Sequence, residues 1–249
     1  MIKYLVLGSS GQIGASLVDY LKIQGHIVYT MDIIENSSED LRVANNEKLK
    51  RYVMESDFIF FLAFDVGGAK YLSKYQDTFD FIQNNTQIMS NAFQVLKDFE
   101  KPFIFASSQM SDMNHSTYGL CKAIGERYTN SLGGLNIKLW NVYGYEKDYE
   151  KSHVITDFIL KAMNTGEIDM LTDGKEERQL LHVDDCCRAM HMLSLNFKEI
   201  EGVSIKPSKR KDMTHGGWRK EPPENILSYW SPSVSLKDGV KDIIEKMKC

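Results

Sequence analysis

The stretch Ile2–Gly14, IKYLVLGSSGQIG, decides the fold. Its first half is a short apolar run that ends in glycine, which is typical of a parallel strand covered on both faces. After it, Ile13, Leu17 and Leu21 recur at a spacing of four, the pattern of one helix face. The sequence therefore predicts a buried strand, a glycine turn and a helix.

The glycine turn contains Gly8, Gly11 and Gly14. A glycine triplet between a buried strand and a helix is typical of a dinucleotide site, because glycine lets the backbone approach a pyrophosphate at the helix N-terminus. Asp32 ends the second predicted strand, where its carboxylate can accept both ribose hydroxyls and would repel a 2′-phosphate. The pattern favours NAD over NADP; the alternative is a tight turn with a capping aspartate.

The same strand and helix rhythm continues along the chain. Amphipathic helical stretches alternate with the strand-like runs HIVYTMD, DFIFFLAF, KPFIFASS and LNIKLWNVYG. This alternation predicts an α/β fold, a Rossmann-like doubly wound parallel sheet over residues 1–150. Over 151–249 the pattern loosens, which predicts a small, truncated C-terminal substrate lobe, with some helices packing back on the first domain.

Charge and hydropathy exclude several classes of protein. The net charge of −4 argues against a nucleic-acid-binding protein. No apolar run reaches the roughly 18 residues of a membrane span, and the N-terminus lacks the pattern of a signal peptide. We expect a cytoplasmic protein without a membrane or nucleic-acid partner.

The four cysteines predict neither a metal site nor a disulfide. Cys121, Cys186, Cys187 and Cys249 show no CxxC spacing. We interpret them as reduced thiols, most of them small core residues, and expect no metal.

The segment Ser116–Lys122, STYGLCK, contains a tyrosine and a lysine four residues apart. On a helix, Tyr118 and Lys122 lie on one face. Ser107 and Ser108 lie a short way upstream, at the end of a predicted strand. The pair by itself fits either a catalytic acid/base pair or an ordinary helix start.

Together these motifs resemble the extended short-chain dehydrogenase/reductase family, which comprises nucleotide-sugar epimerases, dehydratases and reductases. The resemblance rests on GSSGQIG, EDLR, FLAF, NNT, FASS, YGLCKAIGE, NVYG, EERQLLHVDD and WSPSVSLKDGV, in this order. Within the family, DVGGAKYL, FIQNNTQIMSN and SHV look closest to the branch of GDP-fucose synthase and GDP-mannose epimerase.

The resemblance implies that Ser108, Tyr118 and Lys122 are catalytic, with Ser107 the less favoured candidate for the serine. An ammonium near a phenol lowers the phenol's pKa from its ordinary value of about 10. Tyr118 could then take a proton from a sugar hydroxyl while hydride passes to nicotinamide, and Ser108 would hydrogen-bond the same oxygen.

The resemblance also implies binding roles. Asp40 and Leu41 would hold the adenine ring, and Asn85 would lie beneath the cofactor. The nucleotide sugar would contact Ser108, Asn141, His153 and Arg178, with Arg178 at its diphosphate. The cofactor set as a whole is Gly8, Gly11, Gln12, Ile13, Gly14, Asp32, Asp40, Leu41, Leu62, Ala63, Phe64, Asn85, Ser107, Tyr118 and Lys122.

Two departures from the family pattern concern the chemistry. Gln109 and Met110 stand where dehydratases carry an acidic pair, which disfavours elimination of water. Met110 also replaces the cysteine that GDP-fucose synthase uses together with a histidine, although His153 matches that histidine. His153 fits equally well as an ordinary residue at a helix N-terminus.

A third departure is the shortened C-terminal lobe. The basic stretch at 206–220, KPSKRKDMTHGGWRK, could fill the gap and offer cations to phosphates. The family further implies a homodimer through the helices at 79–98 and 118–130.

The sequence thus predicts an NAD-dependent enzyme that oxidises or reduces a ring carbon of a nucleotide-activated sugar, with C4 as the expected position. A 4-epimerase and a 4-dehydrogenase or 4-keto reductase both fit. The alternatives are a 4,6-dehydratase and a non-catalytic NAD-binding sensor or scaffold.

Overall fold

The computed structural model describes residues 1–170, 173–175, 178–198, 203–205 and 230–248. Its strands are β1 (Lys3–Leu7), β2 (Ile27–Met31), β3 (Phe58–Phe61), β4 (Phe103–Ser108), β5 (Leu135–Leu139), β6 (Val142–Tyr143), β7 (Leu181–His182) and β8 (Val203–Ile205). Its α-helices are α1 (Gln12–Ile23), α2 (Glu47–Glu55), α3 (Ala69–Tyr75), α4 (Phe79–Phe99), α5 (Thr117–Ser131), α6 (Val154–Thr165), α7 (Val183–Leu195) and α8 (Leu236–Met247). Short 3₁₀ turns span Ser37–Glu39 and Gln109–Asp112.

The central sheet is parallel, with the strand order β2-β1-β3-β4-β5-β8. The order reverses at β1, because β2 lies on one side of it and β3 on the other. In sheets of this kind, ligands bind outside the carboxyl ends of the strands at that reversal point. The end of β1 is the glycine turn, so the turn predicted from sequence lies at the reversal point.

Two cores cover the two faces of the sheet. Side chains alternate along a strand, so Tyr4 and Val6 of β1 enter one core and Leu5 and Leu7 enter the other. The first core also contains buried residues of α1 and α7, and the second contains those of α2 and α4. Helices on both faces confirm the predicted doubly wound α/β fold.

Part of the chain beyond residue 150 packs on the first 150 residues. Helix α7 lies against α1, and β8 continues the sheet beside β5. Strands β6 and β7 form a separate small sheet, and α6 and α8 meet around Ile159 and Ile243. The domain boundary at 150 stays a prediction.

Three further observations bear on the sequence-based expectations. Across the described ranges, the helices are all too short or too polar to cross a membrane. Cys121, Cys186 and Cys187 are buried thiols. The basic stretch at 206–220 and Cys249 lie outside the described residues.

Candidate active site

The glycine turn packs directly against the end of β3. Gly8 has a φ of 85°, a conformation that side chains rarely adopt, and a Cβ there would lie 2.6 Å from the backbone nitrogen of Ala63. A Cβ on Gly14 would collide with the carbonyl of Gly8. These two glycines therefore let the turn and the first turn of α1 lie close to both strand ends.

The turn offers polar groups that fit the pyrophosphate of NAD. Gly11 is the N-cap of α1 and brings no side-chain acceptor to the first amides of the helix. The buried hydroxyl of Ser9 has no hydrogen-bond partner in the described part of the chain. Free amides at a helix N-terminus and an unpaired hydroxyl suit an anion. Gln12 instead donates to the Gly144 carbonyl at 3.2 Å, and Ile13 packs on the core.

Asp32 lies beside this turn, as predicted. Its carboxylate accepts hydrogen bonds from the backbone N–H groups of Ser10 and Ile34, both at 3.0 Å. It therefore closes the turn, which is the alternative role considered from the sequence. Each carboxylate oxygen retains a further lone pair, so binding of a ribose hydroxyl is compatible with these bonds.

Asp40 is paired within the protein. The Arg42 guanidinium donates to both of its carboxylate oxygens at 2.8–3.1 Å, and these bonds lower the pKa of Asp40. Its neighbour Leu41 is buried, with its carbonyl accepting from the Asn91 amide. The predicted contact of Asp40 and Leu41 with adenine remains a prediction, and sequence reasoning missed the role of Arg42.

Asn85 holds the loop that follows β3. Its side chain is buried and forms two hydrogen bonds with the backbone of Asp65, accepting from the N–H at 2.8 Å and donating to the carbonyl at 3.1 Å. The Asp65 carboxylate accepts from Tyr71, Asn84 and Lys151. Asn85 thus fixes the course of the loop that begins with the predicted cofactor residues Leu62, Ala63 and Phe64.

Local hydrogen bonds place the start of α5 beside the end of β4. Ser116 is the N-cap and accepts from the Gly119 N–H at 3.0 Å. A side chain on Gly119 would collide with the Met110 carbonyl, so glycine lets α5 lie against the turn after β4. As a result, Tyr118 lies beside Ser108, whose hydroxyl acts to lower the pKa of the phenol.

Tyr118 and Lys122 differ from the electrostatic prediction. Burial raises the pKa of Tyr118 to about 12, although the Ser108 hydroxyl acts in the opposite direction. Burial also lowers the pKa of Lys122 to about 7. The predicted lowering of the phenol's pKa by the ammonium is therefore wrong for the protein alone, because desolvation dominates at both groups.

The Lys122 ammonium contacts a backbone carbonyl and an aromatic ring. Its Nζ donates to the carbonyl of Ala106 at 2.6 Å and lies 3.7 Å from the centre of the Phe64 ring. Its distance to the centre of the Tyr118 ring is 5.8 Å. The Phe64 and Tyr118 rings meet edge to face at 5.7 Å, so the loop after β3 covers this pair.

The two candidate serines have different partners. Ser108 meets Tyr118, whereas the buried Ser107 donates to Glu126 Oε1 at 2.5 Å. Adjacent residues of a strand point to opposite faces, which explains the separation. Glu126 follows Lys122 at a spacing of four, so its place on the same helix face could have been predicted.

Three of the predicted substrate residues follow β5 in the chain. The Asn141 side-chain amide donates to the Gln179 carbonyl at 3.0 Å, and its backbone carbonyl accepts from the Leu181 N–H. These bonds bring Asn141 near the exposed Arg178, which precedes Gln179. His153 is the N-cap of α6, and a Cβ on Gly68 would lie 3.2 Å from its Cα. His153 is thus beside the loop after β3.

Comparison with known proteins decides the family. Residues 4–205 match the model of the family described as "NAD dependent epimerase/dehydratase family". The chain belongs to this family. Membership confirms the predicted extended short-chain dehydrogenase/reductase class. It also confirms NAD as the predicted cofactor.

Three relatives of this family member are named for UDP-sugars or were solved with them. A UDP-N-acetyl-α-D-glucosaminuronate decarboxylase from Bacillus cytotoxicus is 24% identical, over 74% of this chain and 68% of the relative. UDP-glucose 4-epimerase from Thermotoga maritima, solved with UDP-glucose, has a TM-score of 0.76 at 20% identity and covers 99% of both chains. MoeE5, solved with UDP-glucose and NAD, has a TM-score of 0.80 at 18% identity, over 99% and 98% of the chains.

These likenesses confirm the Rossmann-like fold. The sugar nucleotides of these three relatives carry UDP, whereas the predicted GDP-fucose synthase and GDP-mannose epimerase branch is named for GDP-sugars. These three relatives therefore do not support the predicted assignment to the GDP-sugar branch.

Proposed function

We propose that this chain oxidises or reduces a ring carbon of a UDP-activated sugar with NAD, with C4 as the expected position. The observation that carries the proposal is the Ser108–Tyr118 hydroxyl pair, which lies next to Lys122 where β4 ends. The sugar nucleotides of the relatives support UDP in place of the GDP suggested by sequence motifs.

Tyr118 is the proton-handling group in this proposal. Its pKa of about 12 means that the phenol carries its proton at neutral pH and can donate it to the oxygen of a keto sugar. Bound NAD would supply the hydride donor or acceptor. Ser108 would hydrogen-bond the same sugar oxygen and hold it against the phenol.

Lys122 has a different role from the one first predicted. With a pKa of about 7, its amine exchanges a proton readily near neutrality, while its bond to the Ala106 carbonyl holds it in place. It can therefore pass a proton at Nζ in either direction of the reaction.

Two reaction types remain within the proposal, a 4-epimerase and a 4-dehydrogenase or 4-keto reductase. Gln109 and Met110 provide neither the acid nor the base expected of a 4,6-dehydratase. A non-catalytic sensor or scaffold would not need Ser108, Tyr118 and Lys122 together.

The predicted binding residues also belong to the proposal. We expect Arg178 at the diphosphate, Asn141 and His153 at the sugar, and Asp32 and Asp40 at the ribose and adenine of the cofactor. A cytoplasmic location also remains a prediction.

A homodimer is part of the proposal as well. Along α5, Leu120, Ile124 and Tyr128 recur at a spacing of four and are exposed, and Phe79 and Ile82 of α4 are exposed too. Two such helix faces from each subunit could pack together. Sedimentation equilibrium of the full chain should give the mass of a dimer, and a monomer mass at all concentrations would remove this part.

The test of the activity is incubation with NAD and a panel of UDP-, GDP-, CDP- and dTDP-sugars. NADH absorbance reports net oxidation, and product mass separates the reactions. An unchanged mass with a new isomer indicates epimerisation, loss of two hydrogens indicates oxidation, and loss of water indicates dehydration. The proposal expects turnover of UDP-sugars, and hydride transfer with none of the sugars would support the sensor alternative.

A further inference from the structure

Glu146 and His153 form a pair that the sequence analysis did not anticipate. The buried Glu146 carboxylate accepts the backbone N–H of His153 on Oε2 at 2.9 Å and meets the imidazole Nδ1 through Oε1 at 2.6 Å. Both carboxylate oxygens thus bind the same residue. The His153 side chain is 42% exposed, so part of it can contact a ligand.

This arrangement determines the position of the imidazole proton. His153 is the N-cap of α6, and Glu146 Oε2 accepts its backbone N–H. An ionised carboxylate only accepts hydrogen bonds. The Nδ1 atom must therefore carry the hydrogen, and in the neutral ring the Nε2 atom has a free lone pair.

Backbone contacts tie the pair to the cofactor turn. The Gly144 carbonyl, two residues before Glu146, accepts from Gln12 Nε2 at 3.2 Å and from Thr156 Oγ1 at 3.4 Å. Gln12 is the first residue of α1 after the glycine turn. Thr156 lies in the first turn of α6, which begins after His153.

A second contact ties the pair to the loop that covers Tyr118. Gly68 donates its N–H to the Lys151 carbonyl at 2.9 Å, and a Cβ on Gly68 would meet the backbone of residues 152 and 153. The same loop carries Phe64, whose ring contacts Tyr118. His153 therefore borders the loop that also borders the hydroxyl pair.

We infer that Glu146 is a positioning residue, which holds His153 as the Nδ1–H tautomer and directs its Nε2 lone pair to a hydroxyl of the bound sugar. The second half of this inference rests on the proposed function. A hydroxyl can donate to a lone pair, whereas a phosphate oxygen can only accept. The pair therefore selects a hydroxyl-bearing ring and not the diphosphate.

The tautomer is tested directly by ¹⁵N NMR of the histidine-labelled full chain without ligands, at alkaline pH where imidazole is neutral. The His153→Gln spectrum assigns the His153 signals. We expect a protonated Nδ1 and an unprotonated Nε2. A protonated Nε2 would overturn the inference, and this measurement needs no Glu146 variant to fold.

Glu146→Gln provides the matched perturbation. A glutamine has one acceptor oxygen and one donor NH₂, so it cannot offer a separate acceptor atom to each His153 N–H group as Glu146 does. We expect the Nδ1–H population to fall, while Glu150→Gln, the same change at an exposed position of the same loop, leaves the spectrum unchanged. A folded Glu146→Gln protein with the wild-type tautomer would refute the positioning role.

Kinetics test the contact with the sugar. With a UDP-sugar that turns over, Glu146→Gln should lower kcat/KM by at least about tenfold and leave NAD affinity unchanged, because a misdirected Nε2 atom loses its hydrogen bond with the sugar hydroxyl. Unchanged kcat/KM would remove the sugar contact. If no sugar turns over, the proposed function fails, and the NMR result still decides the tautomer.

Discussion

Lys122 and His191 are two buried bases at opposite ends of the sheet. Lys122 is 3% exposed and contacts the carboxyl half of β4, whereas His191 is 9% exposed and lies in α7 beside His26, which precedes β2. Burial lowers the pKa of both groups. A lowered pKa alone therefore does not distinguish a catalytic base from a structural one.

The hydrogen-bond partners and the positions of the two bases distinguish a structural base from a candidate catalytic one. The backbone N–H of Ile2 donates to His26 Nδ1 at 3.3 Å, so His26 Nε2 carries the hydrogen and donates to His191 Nε2 at 3.1 Å. Rings of Tyr4 and Tyr20 pack edge-on around His191. The two imidazole rings are hydrogen-bonded to each other and lie away from the carboxyl ends of the strands. Lys122 lies instead where α/β sheets bind ligands.

The largest loss of turnover is expected from Tyr118→Phe. Removing the phenol oxygen takes away the proposed proton donor, and turnover of a UDP-sugar should fall by at least about 100-fold. NAD affinity, measured by calorimetry, should change little. Tyr75→Phe is the control, because Tyr75 is exposed at the end of α3. Turnover equal to wild type in Tyr118→Phe would remove Tyr118 from the mechanism.

Lys122→Met should lower turnover by roughly tenfold or more and change the pH dependence of stability. Between the native pKa of about 7 and the ordinary value of 10.5, the unfolded chain binds more protons than the folded chain. The wild-type free energy of unfolding should therefore rise with pH through this window, and the variant should lack this increase.

Denaturant unfolding across that window measures the effect, with Lys97→Met, an exposed lysine of α4, as the control. Parallel pH curves for wild type and Lys122→Met would show that Lys122 is not desolvated. The contrast with His191 would then lose its basis.

The smallest effect on activity is expected from His191→Leu. Turnover should stay within about twofold of wild type, whereas the free energy of unfolding should fall by about 0.5–1.5 kcal/mol, the typical net contribution of one hydrogen bond, here the bond between His26 and His191. The lowered pKa of His191 means that wild-type stability decreases as pH falls below the ordinary histidine value of 6.5. The stability of the variant should not show this decrease at low pH.

Urea unfolding above and below that pH, with initial rates beside it, tests both parts. A large loss of turnover in a folded His191→Leu protein would contradict the distinction between the two ends of the sheet.

The sequence by itself predicted the fold and much of the candidate site's composition. Apolar runs that alternate with amphipathic stretches predict the parallel sheet, and the glycine turn marks the strand order's reversal. The spacing of Tyr118 and Lys122 places both on one helix, beside Ser108. These features are local in sequence, so periodicity and turn chemistry reveal them.

Tertiary structure decided the charges and the partners. Burial reversed the predicted effect on Tyr118, because desolvation depends on side chains from distant segments, such as Phe64. The same holds for Arg42 on Asp40 and for Glu146 on His153, which lie in irregular loops where spacing carries no signal. Which groups the folded chain brings together, and how much water it removes from them, is decided only in three dimensions.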